Sequence, residues 1–261
     1  MVSISIARIL VVIGLCSMEG GTVAARAGLA RREFDLGPMA GLGGGHSFWP
    51  GSTPAAASAG ERKLPGFSHG GCPSYYMIGA RGTGETLDGS LPYSSIYENV
   101  LAAVPGGAKQ ELQYSTSVEY FATVNEGAQS EVEIISAQLA KCPDTVFVLI
   151  GYSKGAMVQT QALINQDMPQ DKIAAVVLFG NPYFRAGATQ NKCDATSGMG
   201  MAAMTGVKMP DQLADRVYDC CAAGDPICQT VGSIMSHFTY SSRANEASQF
   251  IIRKLRAKLS S

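Results

Sequence analysis

Thr145-Val146-Phe147-Val148-Leu149-Ile150-Gly151-Tyr152-Ser153-Lys154-Gly155-Ala156 runs an apolar, β-branched segment into a G-x-S-x-G turn. Its first six residues read as a buried strand. Ala156 to Asn165 reads as the helix that follows. A G-x-S-x-G between strand and helix is the signature of a nucleophile elbow, a tight turn that lifts a serine hydroxyl to the C-terminal edge of a sheet. Side chains at the two glycine positions would crowd the neighbouring strand and helix. Ser153 also stands at a helix N-terminus, where unpaired N–H groups favour an oxyanion.

A serine hydroxyl needs a base to act as a nucleophile. The chain has three histidines, His46, His69 and His237. The first two fall in a Gly/Pro-rich stretch outside the expected domain, which leaves His237. Upstream, Ala223-Gly224-Asp225-Pro226 reads as a tight turn holding an aspartate at a strand end. The order Ser153, Asp225, His237 is that of an α/β-hydrolase-type triad. There His237 takes the serine proton, and Asp225 orients the imidazole and stabilises its charged form. Asp211, Asp215 and Asp219 are rival third members that spacing alone leaves open.

Cys142-Pro143-Asp144 ahead of the strand, with Gly151-Tyr152-Ser153-x-Gly155, resembles the nucleophile segment of the fungal cutinases. Cys221-Ala222-Ala223-Gly224-Asp225-Pro226-Ile227-Cys228 resembles that family's second signature, a small disulfide loop carrying the catalytic aspartate. Ala80-Arg81-Gly82-Thr83-Gly84-Glu85 is similar to the family's first-strand exit, whose Ser or Thr helps form the oxyanion hole. The likeness spans Cys72 to the C-terminus. It implies Ser153 as nucleophile, Asp225 as orienter and His237 as general base. It also implies an oxyanion hole made by the N–H and hydroxyl of Thr83 and the backbone N–H of Lys154. Two positions depart from the common pattern: glutamine usually follows the nucleophile where Lys154 stands, and serine is frequent where Thr83 stands. Both changes keep the backbone donor, whose loss typically costs roughly 100- to 1000-fold in rate. The Lys154 side chain is expected to be solvated or salt-bridged. Its alternative role is an ammonium that favours acidic substrates or acts on His237.

The resemblance also pairs Cys72 with Cys142 and Cys221 with Cys228. Adjacent cysteines rarely bond one another, so Cys193 with Cys220 is the remaining pair. The seventh cysteine, Cys16, lies in an apolar N-terminal segment. Metal binding has little support, because the spacings lack paired C-x-x-C ligands and a histidine cluster. Six cysteines in three disulfides fit a secreted chain.

Residues 1–27 read as a signal peptide, with Arg8, a short apolar run from Ile9 to Cys16 and a small-x-small site at Ala25-Arg26-Ala27. Residues 28–70 read as a disordered leader or pro-segment: nine glycines and four prolines occupy the 37 positions from Phe34 to Gly70. Trp49, the only tryptophan, lies there. Residues 71–261 are long enough for one domain with a full core. Strands are expected at Ser74–Ala80, Lys109–Tyr114, Thr145–Ile150, Ile173–Phe179 and Arg216–Cys220. Helices are expected at Ser94–Val104, Asn125–Lys141, Ala156–Asn165 and Asn245–Lys258. Alternation of this kind predicts an α/β three-layer sandwich, a central, mostly parallel five-stranded sheet covered by helices on both faces. Gly180 to Asp215, rich in Gly and Met, reads as a surface excursion.

The net charge is −1, and basic residues cluster only in the final helix (Arg253, Lys254, Arg256, Lys258), where they match the C-terminal dipole. Neither a nucleic-acid partner nor stable membrane insertion is expected. Gly82-Thr83-Gly84 lacks the third glycine of a dinucleotide site, and no cofactor is required. Val231, Ile234 and Met235 either form a wall of an acyl groove or pack in the core. The expectation is a monomeric, secreted serine esterase, with cutin, an aliphatic polyester, as substrate. Deacetylation of xylan is the alternative, and a non-catalytic secreted effector or binding protein on the same scaffold the reading from another class.

Overall fold

The computed structural model describes residues 71–261. The expected signal peptide and leader, with Cys16, His46, Trp49 and His69, lie outside the described residues. Six strands form one sheet: β1 (Tyr75–Ala80), β2 (Gly107–Glu111), β3 (Val146–Tyr152), β4 (Ile173–Phe179), β5 (Asn191–Lys192) and β6 (Val217–Cys220). Their order is β2-β1-β3-β4-β6-β5, and every pairing is parallel. Five strands were expected. The sixth, β5, is two polar residues long and has no hydrophobic pattern; it is held at the sheet edge beside Asp219 and Cys220.

β1, β3 and β4 are buried along their whole length, as strands covered on both faces must be. Alternate residues feed two cores. Tyr75, Met77, Val148 and Ile150 pack with helices α1 (Ser94–Ala103) and α6 (Ala244–Leu259). Tyr76, Ile78, Phe147 and Leu149 pack with α2 (Phe121–Lys141) and α3 (Lys154–Ile164). These cores are the two interfaces of the three-layer sandwich. In α6, Ile251, Ile252 and Leu255 are buried, while Lys254 reaches Asp215 at 3.3 Å. No helix among the described residues is long and apolar enough to cross a membrane.

The Gly180–Asp215 stretch is more than a surface excursion. Phe184 and Ala195 pack with Cys221 and Cys228 in a third, small core, and Met209 and Leu213 join the α2–α3 side. Disulfides join Cys72 to Cys142, Cys193 to Cys220 and Cys221 to Cys228. Two short helices, α4 (Pro226–Gln229) and α5 (Ile234–His237), follow β6 and shape the sheet's C-terminal edge.

Candidate active site

Ser153 sits between β3 and α3 with φ 54°, one of three non-glycine residues in the left-handed region among those described. Such a conformation is strained for a residue with a Cβ and persists only where its surroundings enforce it. Here the enforcement is steric. A Cβ on Gly155 would lie 1.8 Å from the Ala80 carbonyl oxygen of β1, and one on Gly151 would lie 2.6 Å from the Gly155 carbonyl oxygen. The Ser153 N–H donates to the Phe179 carbonyl at 2.8 Å, tying the elbow to β4. Lys154 is the first residue of α3, so its N–H belongs to the set without an intrahelical partner.

Asp225 is fully buried and divides its carboxylate between two tasks. Oδ1 accepts the Ile227 N–H at 2.9 Å, capping α4 ahead of Pro226. Oδ2 lies 2.8 Å from His237 Nδ1 and accepts the Tyr240 hydroxyl. His237 closes α5, which Ser233 caps. The imidazole stacks on the Tyr152 ring at 4.9 Å, and the Tyr152 hydroxyl donates to the His237 carbonyl at 3.0 Å. The rival aspartates are elsewhere. Asp211 and Asp215 make surface ion pairs with Lys208 and with Lys254 and Arg216. Asp219 is buried against the Asn181 amide, and burial raises its carboxyl to about 7.

Thr83, Tyr152, Ser153 and His237 line one cavity of about 430 Å³. Leu91, Ile227, Ile234 and Phe238 supply apolar wall. Ile234 thus lines the cavity, whereas Val231 and Met235 are exposed and neither line it nor pack in the core. Phe238 also lines the cavity and escaped the sequence reading, although it adjoins the histidine.

Thr83 lies on a tightly braced loop. Arg81, buried, donates to the Glu85, Leu112 and Tyr114 carbonyls at 2.9–3.3 Å. The Glu85 carboxylate accepts the Gly82 N–H and the Ser90 hydroxyl. The Thr83 hydroxyl is 2.9 Å from that of Tyr120, which also lines the cavity.

The Lys154 side chain departs from the expectation that it is solvated or salt-bridged. It is fully buried, and none of the ion pairs among the described residues includes it. Its ammonium donates to the Ser115, Ser117 and Glu119 carbonyls and to the Thr123 hydroxyl at 2.6–3.3 Å. Burial lowers its pKa, which the Glu119 and Glu126 charges partly oppose. Besides Phe238, sequence reasoning gave no role to Tyr120, Tyr152 and Tyr240, which contribute a hydroxyl or a ring face to the site. Tyr152 stands inside the G-x-S-x-G motif, but the motif leaves that position open.

The cutinase family model matches residues 71–255. The chain belongs to the cutinase family. A cutinase of Blumeria hordei is 29% identical over 194 residues, covering 71% of this chain and 73% of its own. An acetylxylan esterase of Talaromyces purpureogenus is 25% identical, covering 70% of this chain and 88% of its own. Among solved structures, a cutinase-like protein from Cryptococcus sp. superposes with a TM-score of 0.62 at 26% identity, covering 72% of this chain and 96% of that one. As a member of the cutinase family, the chain is a carboxylic ester hydrolase, here on an α/β three-layer scaffold.

Proposed function

We propose that this cutinase-family chain is a secreted serine esterase that opens ester bonds in an aliphatic polyester such as cutin. Ser153 attacks the ester carbonyl while His237 takes its proton, and Asp225 holds and stabilises the imidazolium. The tetrahedral oxyanion lies between the Lys154 N–H and the N–H and hydroxyl of Thr83. His237 returns the proton to the leaving alcohol. Water, activated by the same imidazole, then releases the acid from the acyl-enzyme.

The observation that carries the substrate class is the apolar mouth of the cavity. Leu91 is 85% exposed and Phe238 62%, and both line it; Met235 is 68% exposed next to Ile234. Exposed apolar side chains gathered at a cleft fit a surface that binds apolar ligand. Sugar hydroxyls laid against these side chains would give up water without gaining hydrogen-bond partners, which disfavours acetylated xylan even though an acetylxylan esterase is among the relatives. Three disulfides in a domain of this kind support an oxidising, extracytoplasmic destination.

The test is hydrolysis of p-nitrophenyl acetate, butyrate and longer esters, with cutin and acetylated xylan as polymers, beside Ser153→Ala. Butyrate and cutin turnover that vanish in Ser153→Ala are expected. Turnover of acetyl esters alone would move the substrate to xylan. A chain inert toward every ester would sink the esterase reading in favour of a binding protein.

A further inference from the structure

Besides its bonds to Leu112 and Ser90, the loop that carries Thr83 leans on one neighbouring segment. The Tyr114 hydroxyl donates to the Arg81 carbonyl, and the Gly84 N–H donates to the Thr116 carbonyl at 2.9 Å. The Thr116 hydroxyl donates to the Glu85 carbonyl at 3.0 Å, and the Tyr120 hydroxyl meets that of Thr83. Residues 114–120 are therefore a cradle for the loop from Arg81 to Glu85. That cradle has no regular structure between the end of β2 and the start of α2, so its own hydrogen bonds must come from elsewhere.

Much of that support is the Lys154 ammonium. It collects three carbonyls from five consecutive residues, Ser115 to Glu119, and the Thr123 hydroxyl, which in turn donates to the Glu119 carbonyl. The Tyr114 and Tyr120 rings lie 5.8 and 5.3 Å from the charge. Burying an ammonium against neutral acceptors is costly unless each proton is used. A glutamine amide has only two such protons and could not gather this set. We propose that the Lys154 side chain is a positioning residue that pre-sets the oxyanion hole by clamping segment 114–120, which holds Thr83 through Tyr120. The inference rests on the site reading above, in which the Lys154 N–H and Thr83 are the oxyanion donors. One residue then fixes both halves of the hole, its backbone at the elbow and its side chain through the cradle.

The link between Tyr120 and Thr83 has a direction during catalysis. When the Thr83 hydroxyl donates to the oxyanion, its oxygen is free to accept from Tyr120, and hydrogen bonds in series strengthen one another. The interaction is made in the transition state, so its loss lowers kcat more than it raises KM.

Lys154→Met, Tyr120→Phe, Thr123→Val and the Lys154→Met/Tyr120→Phe pair are assayed on p-nitrophenyl butyrate, with folding checked by circular dichroism. Acylation is followed through inactivation by a p-nitrophenyl alkylphosphonate, whose tetrahedral oxygen occupies the hole. Loss of a full donor costs roughly 100- to 1000-fold, so a displaced one is expected to cost about 10- to 100-fold in kcat for Lys154→Met, with KM within about threefold. Tyr120→Phe is expected to lose about 5- to 20-fold, and the pair no more than Lys154→Met alone, because both act through Thr83. Phosphonate inactivation slows in parallel. A folded Lys154→Met enzyme with kcat within twofold of wild type overturns the proposal, as do multiplicative losses in the pair. If Lys154→Met does not fold, unchanged kcat in both Tyr120→Phe and Thr123→Val overturns it. Full activity in Ser153→Ala would instead refute the site reading itself, whatever the Lys154 variants do.

Discussion

Glu131 is the most consequential polar residue that the chemistry of the site does not use. It lies on α2, fully buried, with both carboxylate oxygens lacking a hydrogen-bond partner among the described residues. Facing it on α3 is Gln159, whose Nε2 reaches the Ile78 and Ile150 carbonyls at 3.5 and 3.3 Å while its Oε1 is unpartnered. Burial pushes the Glu131 carboxyl from 4.5 to about 8, and the Gln159 amide only partly opposes the rise. At neutral pH the folded chain therefore keeps this proton. At about 1.36 kcal/mol per tenfold change in proton affinity, holding the ionised form inside the fold would cost up to about 5 kcal/mol. Relaxation and water entry reduce such penalties, so about 2–4 kcal/mol is the expected magnitude.

The sign follows from proton counting. Between 4.5 and about 8 the folded state binds a proton that the unfolded state has released. The Glu131 contribution is thus fully present below 4.5, declines as pH rises and is lost above about 8. Glu131→Gln is nearly isosteric and cannot ionise. Urea unfolding of both proteins from pH 4 to 9 should show near-equal stability at pH 4. At pH 8.5 the variant should lead by about 2–4 kcal/mol, roughly 4–16 °C in Tm for a domain of this size. Parallel stability curves across that range would refute the reasoning, since they would mean that Glu131 titrates alike in both states.

Two further outcomes concern the site and its staples. Tyr240→Phe keeps a buried ring against Phe179 and removes one donor to Asp225 Oδ2. A hydrogen bond to a charged group is worth about 1.5–3 kcal/mol, so kcat on butyrate esters should fall by at least about tenfold with KM little changed; an unaltered kcat would show that Tyr240 serves packing alone. Cys72 is exposed, whereas Cys221 and Cys228 are fully buried, so mild reductant should open Cys72–Cys142 first and leave the Asp225 loop intact. Alkylation mapped by mass spectrometry, followed beside activity, checks this: Tm should drop with the first pair, by an amount in line with about 2–5 kcal/mol, while activity at 25 °C holds.

The sheet was legible because its central strands are buried on both faces, which forces continuous apolar runs such as Val146–Ile150 and Ile173–Phe179. β5 was not, because Asn191-Lys192 is a strand only through its neighbours: it pairs with Asp219 and Cys220, and Cys193 beside it is bonded to Cys220. The start of α2 was placed at Asn125 and lies at Phe121. The cap there is unusual, since the Glu119 carboxylate, one residue ahead of the N-cap, accepts the Ala122 and Thr123 N–H groups. Nor was the burial of Glu131 noticed, although the spacing held the signal. It is three residues after Ala128 and four before Ile135, squarely on the apolar face.

The residues carrying the proposed chemistry were legible for a different reason. Ser153, Asp225 and Thr83 each sit where backbone geometry restricts the neighbouring residue types, so glycines, a proline and a disulfide loop mark them in one dimension. Lys154 had no such marker for its side chain. The prior for lysine is exposure, because an ammonium out of water needs acceptors for all three protons. Those acceptors are main-chain carbonyls of Ser115, Ser117 and Glu119, and a carbonyl belongs to every residue type. Nothing in the identity of residues 115–119 could announce that they receive a charge. The information lies in the path of the chain, which brings an irregular segment within reach of the first residue of α3. A side chain that binds backbone is hidden from sequence reading in a way that a side chain binding another side chain is not. The support of this site, from Arg81 on three carbonyls to Tyr152 on that of His237, is built largely of such bonds.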